Sequence, residues 1–234
     1  MSASSETALE TAADDRVQPI ESPVAFARRR LDGRFQIDAF GGDAQLMDLT
    51  GRALALGVRV EVEHAERIPR LGGALVVANR GLGIFEPAAL AIAVRQSVGR
   101  RLRVIGAPDL PVLGDVLRKI GAVGYRPDDV AVLLRAGHLA AAPLAPTWLR
   151  SGAGAPPREL LAAVVGFPVV PAAVLSGGPG RLPVRPWRVL VGPVVETAVD
   201  AVPGDTLAGA ELVERTRTAV NRLLAEARGL PVRD

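Results

Sequence analysis

The stretch Leu75–Leu90, LVVANRGLGIFEPAAL, decides the fold. It grows out of the run Ala74-Leu75-Val76-Val77-Ala78, which is short, apolar and continuous rather than alternating. That pattern marks a parallel strand covered on both faces. The run breaks at Asn79-Arg80-Gly81-Leu82-Gly83, and PAALAIAVRQS (87–97) then reads as a helix with Pro87 in its first turn. A strand, a polar turn and a helix in this order deliver the residues after the strand to a site at its C-terminal end.

The alternation of strands and helices continues on both sides of this unit. A helix is expected over 44–56, and VRVEVEH (58–64) alternates strictly, as a strand with one wet face does. The next strand is Arg103–Gly106, followed by a helix over 111–120 that Gly121 stops. Asp128 or Asp129 is expected to cap a helix running to Arg135 and closed by Gly137. After His138, LAAAPLAP reads as strand into loop, and SGAGAPPRE (151–159) as a surface loop. Phe167–Val174 is a buried strand, SGGPGR (176–181) a turn, and WRVLVGPVVE (187–196) a further strand. Thr206–Arg228 is a final amphipathic helix ended by Gly229 and Pro231. The expected architecture is a single α/β domain over residues 24–234, with a mostly parallel central sheet flanked by helices.

Bulk properties exclude several chemistries. The 234 residues suit one sizeable domain. Cysteine is absent, so thiolate chemistry is excluded, and with only two histidines, His64 and His138, a multi-histidine metal site is not expected. No metal and no cofactor is expected. SGGPGR lacks the lysine and hydroxyl of a phosphate loop. The net charge is +3, and Lys119 is the sole lysine, so the positive charge is almost all arginine. Residues 1–23 carry −4, which against +3 overall leaves +7 on the remainder. That first segment, poor in large apolar groups, is expected to be a disordered acidic tail that folding does not need. A basic body favours an acidic partner. Nucleic acid is an unfavoured choice, because aromatic residues for stacking make up 3% of the chain.

The lead-in VAFARRRLDGRFQIDAF (24–40) mixes phenylalanines with arginines. It reads either as a helix and loop packed on the domain or as a membrane-surface element. The second reading assigns membrane contact to Phe26, Arg28, Arg29, Arg30 and Arg34. The uncharged run Leu160–Ser176 contains Pro168 and Pro171, which suits a membrane span poorly. The expected location is cytoplasmic, with peripheral attachment at the inner face of the membrane.

Four segments, in order, carry a resemblance to a known family. GGALVVAN (72–79), LPVLGDVLRKIGAVGYRPDD (110–129), LLRAGHL (133–139) and FPVVPAAV (167–174) resemble the blocks of the glycerolipid acyltransferase superfamily, typified by lysophosphatidate acyltransferase. In that family a histidine follows the asparagine as general base, and an aspartate nearby orients it. Here Arg80 holds the histidine position. A guanidinium with an ordinary pKa of about 12.5–13.8 cannot serve as a base near neutrality. Glu86 is the one carboxylate near the partner position. Pro143 is followed by Leu144 and Ala145, where the family has glutamate and glycine.

The resemblance therefore implies a degenerate member of the superfamily. Asn79, Arg80, Gly81, Arg126, Pro143 and Thr147 would line the ligand site, with Arg126 near the family's phosphate-contacting position. Arg80 and Glu86 either close the old pocket as an ion pair, or Arg80 meets an anion at the adjoining helix N-terminus. His138, in the segment entering the Pro143 loop, is a further candidate for the same rim. The implied function is a non-catalytic protein that binds a phospholipid-like ligand, an acyl-CoA, an acyl carrier protein or a partner enzyme. The alternative is an active lysophospholipid acyltransferase with a noncanonical site.

Overall fold

The computed structural model describes residues 16–17, 22–33, 37–79, 85–107, 112–144, 158–176, 186–197 and 201–229. Among these, seven strands make one sheet: β1 (Val60–Glu63), β2 (Ala74–Ala78), β3 (Leu102–Ala107), β4 (Ala122–Gly124), β5 (Leu139–Pro143), β6 (Val169–Leu175) and β7 (Trp187–Val191). Their spatial order is β1-β7-β6-β2-β5-β3-β4. Every neighbouring pair is parallel except β6 and β7. The helices are α1 (Pro23–Leu31), α2 (Ala44–Gly57), α3 (Phe85–Val98), α4 (Leu113–Lys119), α5 (Pro127–Arg135), α6 (Arg158–Ala163) and α7 (Thr206–Ala227).

The continuous apolar run of β2 is explained by its central place, between β5 and β6. Leu75 and Val77 enter a core with Leu133 and Leu134 of α5, Leu160 and Leu161 of α6, and Leu212 of α7. Ala74, Val76 and Ala78 enter a second core with Ala89, Leu90 and Ala93 of α3. Both faces are covered, so no position on the strand tolerates a polar residue. Each fully buried Leu or Val contributes about 1.5–3 kcal/mol. Gly73 leads into β2 because a Cβ there would run into the backbone carbonyl of Leu134. The end of α5 rests directly on this backbone.

Several boundaries depart from the sequence reading. The strand β4 was not anticipated, being three residues long and free of any run. Residues 158 and 159, assigned to a surface loop, open α6, whose Leu160 and Leu161 are buried. Neither Asp128 nor Asp129 caps α5: its N-cap is Arg126, and Pro127 takes the first helical position. Proline needs no N–H partner there, so the helix starts earlier. The two aspartates then sit in the first turn, where they oppose the positive end of the dipole. β7 stops at Val191 before Gly192-Pro193, and Val195 returns to bridge Val169.

Arginines at the start of β3 fasten the other segments to the sheet. Arg101 forks onto the carboxylate of Asp48, with Nε at 3.1 Å and Nη2 at 2.9 Å. Arg95 of α3 reaches the same carboxylate at 3.1 Å. Asp48, on α2, is 2% exposed and Arg101 6%. Arg100 donates to the carbonyls of Pro69 and Gly72 at 3.1 and 2.9 Å and to that of Gly137. Arg103 pairs with Asp38, whose carboxylate also accepts from the Phe40 and Gly42 amides.

Two residues of the expected acidic tail are also attached. The Val17 amide donates to the Gly99 carbonyl at 3.0 Å, and Arg16 bridges Arg100. Ser22 and Pro23, also within the segment expected to be a tail, are described at the start of α1, where the Ser22 hydroxyl oxygen accepts from the Ala25 amide; residues 1–15 and 18–21 lie outside the described residues.

Two outcomes follow. Asp48→Ala strands two guanidinium groups and should destabilise the fold by about 3–5 kcal/mol, read as a lowered urea midpoint with an unchanged slope. Removing residues 1–15 should leave the melting temperature unchanged. Extending the deletion through Val17 removes one hydrogen bond, worth about 1 kcal/mol, and should lower it by roughly 2–4 °C.

Candidate functional site

Parallel strands place their C-terminal ends along one edge, and β2, β3, β4, β5 and β6 all do so here. At the centre of that edge β2 is clamped from both sides. Ala78 lies opposite Pro143 of β5 and Ala172 of β6. The Leu144 amide donates to the Ala78 carbonyl at 2.5 Å. The Asn79 amide donates to the Ala172 carbonyl at 3.3 Å.

The Asn79 side chain extends the clamp. Its Nδ2 donates to the Val174 carbonyl at 2.9 Å, and its Oδ1 accepts from the Val174 amide. A carboxamide sets an N–H donor beside a carbonyl acceptor, as a peptide group does, so it continues the ladder where β2 itself has ended. Asn79 thus holds the rim in place, and whatever it offers a ligand comes in addition to that duty.

Arg80, Gly81 and Thr147 lie outside the described residues. Glu86 is in the first turn of α3, half-buried, where a carboxylate complements the helix dipole. Arg126 is exposed at the head of α5, its amide donating to the Gly124 carbonyl. It stands on the same edge as Asn79, but β4 is three strands from β2, roughly 14 Å at the usual strand spacing. A ligand touching both would have to be extended.

The structure corrects the reading of His138. It immediately precedes β5, at the edge opposite Pro143, because β5 lies between them. Five residues of strand span roughly 16 Å. The imidazole is buried and meets the Phe40 ring edge-on, with centroids 6.3 Å apart. His64 is at that same far edge, since β1 and β7 run against β6 and β2. It has φ 59, heads the short 3-10 turn Ala65–Arg67, and lies 3.5 Å from Glu66. Both histidines of the chain are therefore away from the rim.

One rim feature gave no sequence signal. Between β3 and α4, Val112 has φ 67 and ψ −56, a strained conformation for a β-branched residue. Just before it the β3–β4 register shifts between Ile105 and Ala107. Bulges and strained residues collect beside sites that must re-aim the chain.

Of the residues assigned to membrane contact, Arg28 is exposed and Arg29 half-buried on α1. The side chains of Phe26 and Arg30, and all of Arg34, lie outside the described residues. No described helix is long and apolar enough to cross a membrane.

No family profile matches the chain. It is 28% identical to an uncharacterized protein of Mycobacterium bovis, over 96% of this chain and 79% of that one. An uncharacterized protein of Mycobacterium leprae is 29% identical, over 96% and 78%. In structure the chain is similar to the 1-acyl-sn-glycerophosphate (LPA) acyltransferase PlsC of Thermotoga maritima, with a TM-score of 0.46 and 20% identity over 74% of this chain and 78% of that one.

The clamp has a measurable consequence. Asn79→Asp replaces the Nδ2 donor with an acceptor facing the Val174 carbonyl, and should cost about 1–3 kcal/mol. Chemical denaturation should show this loss without any ligand present, whereas a residue serving only ligand binding would leave apo stability unchanged.

Proposed function

We propose that this chain is an acyltransferase-like protein that binds an extended anionic amphiphile at a membrane surface and performs no base-dependent acyl transfer. One observation supports the second half most directly: both imidazoles of the chain sit at the edge of the sheet opposite the candidate rim. Acyl transfer to a hydroxyl needs a base within hydrogen-bond reach of that hydroxyl. With His64 and His138 roughly a strand length away, and arginine at position 80, no histidine here can supply that base.

The first half rests on the ordered resemblance of residues 72–79, 110–129, 133–139 and 167–174, and on what the rim offers. The candidate cations are arginines, Arg126 at the head of α5 and, by the resemblance, Arg80, and their planar forks suit phosphate or carboxylate. The roughly 14 Å between the ends of β2 and β4 along the edge suits a phospholipid-like molecule or an acyl thioester better than a compact metabolite. Acyl-CoA, acyl carrier protein and a partner enzyme are the partners consistent with that chemistry, and the cytoplasmic face of a membrane is the corresponding location.

The test is transfer of labelled acyl groups from acyl-CoA and from acyl carrier protein to a panel of lysophospholipids. No transfer above the protein-free blank is expected. Arg80→Ala should weaken retention of an anionic phospholipid by about ten- to a hundredfold, the loss of one charge-assisted contact. Robust turnover that disappears in Arg80→Ala would overturn the reading in favour of an active acyltransferase with a noncanonical site.

A further inference from the structure

The two ends of the sheet are finished differently. β4, the last strand on one side, is cut to three residues, and the register between it and β3 shifts. Short strands and irregular registers blunt an edge against further pairing. β1 closes the other side, and it carries no proline, no lysine and no shift of register against β7. Among the described residues no segment pairs with its outer side.

The ladder decides which backbone groups that outer side presents. Val60 stands opposite Trp187, and the Trp187 amide donates to the Arg59 carbonyl at 2.8 Å. In a parallel pair alternate residues turn their N–H and C=O to the neighbour. Arg59, Glu61 and Glu63 therefore face β7, while Val60 and Val62 turn their backbone groups outward. Val58, extended at φ −124 and ψ 111, continues the alternation, with its amide already given to the Leu54 carbonyl at 2.9 Å. Side chains alternate in step. Val58 is buried, and Val60 and Val62 pack partly buried on the core that α3 covers. On the other face Arg59 and Glu61 are exposed, and neither makes a side-chain hydrogen bond or ion pair among the described residues. Glu63 is held by Arg188 of β7 at 2.7 Å.

Along this edge residues 58–62 are Val-Arg-Val-Glu-Val. Laid antiparallel to a second copy about Val60, the segment is its own complement. Val60 meets Val60, Val58 meets Val62, and Arg59 meets Glu61 on both sides of the centre. The outward backbone groups of the two Val60 residues bond to each other, and each Val62 amide reaches a Val58 carbonyl. Arg59 and Glu61 then fall at the non-hydrogen-bonded positions, where facing side chains come closest. Centring on Glu61 would face that carboxylate with its own copy, and centring on Val62 would set Glu61 against Glu63. We infer that two copies of the chain pair through β1 about a two-fold axis at Val60, joining two seven-stranded sheets into one. The contact is isologous, so it uses up the edge and stops at two copies. A strand of five residues a side buries less than the roughly 1,200–2,000 Å² of a stable interface, so association depends on concentration. The inference is independent of what the rim binds.

Sedimentation velocity of the full chain over a wide range of concentration tests it. The mass should rise from that of one chain toward that of two, and no further. Arg59→Glu and Glu61→Arg each turn both facing pairs into like charges, and each should weaken the dimer about tenfold or more. Mixed together, the two variants are complementary again and should associate like the wild type, as should the double variant Arg59→Glu/Glu61→Arg. Both positions are exposed, so circular dichroism and the melting temperature should be unchanged in every variant. A chain that stays monomeric at all concentrations, a dimer indifferent to the single substitutions, or folded variants that fail to associate when mixed would each overturn the inference.

Discussion

The buried carboxylate of Asp48 is the constraint on which the N-terminal half of the molecule depends. Moving an aspartate and an arginine out of water costs several kcal/mol per ion, and only good geometry with further hydrogen bonds offsets it. Here Arg101 forks onto both carboxylate oxygens and Arg95 adds a second guanidinium. One residue from α2, one from α3 and one from the start of β3 are thereby fixed together. With Arg100 on three loop carbonyls and Arg103 on Asp38, the head of β3 becomes the anchor for everything that precedes the sheet. Arginine rather than lysine suits these positions, because a planar fork can serve two or three fixed acceptors and a point charge on a flexible stem cannot.

The same cluster changes the meaning of the chain's basic character. A body of +7 suggests a surface covered in positive charge, yet Arg100, Arg101 and Arg103 are buried. What reaches the surface is distributed by helix. α7 neutralises its charges locally, while α2 turns both of its carboxylates inward and shows leucine and arginine to the outside. The net charge alone carried no such direction.

At the rim the governing device is the peptide-like amide of Asn79. The clamp to Val174 holds the end of β2 against β6, as the Leu144 amide holds it against β5. A rim built this way keeps its shape whatever the next residue is. The strand end is thus held by backbone and by the Asn79 side chain up to the last described residue before α3.

By itself the sequence determined the sheet. Continuous apolar runs at 74–78 and 167–174, separated by amphipathic segments, have few ways to bury both faces other than a mostly parallel sheet between helices. It also denied the chain thiolate chemistry, since a composition without cysteine excludes it whatever the fold. Elements without a periodic signal escaped it. The three residues of β4 become a strand only because β3 offers them an edge, and α6 is helical because Leu160 and Leu161 have a core to enter. Only the tertiary structure decided the placement of side chains that spacing leaves open. His138 stands five residues from Pro143 in sequence, and a strand turns that interval into the full height of the sheet. Nothing in the spacing of α2 marks Asp48 as buried; two arginines from outside the helix close on its carboxylate. Periodicity reports which face of an element is buried; it does not report which distant group meets that face, because such contacts depend on how separate elements cross in space.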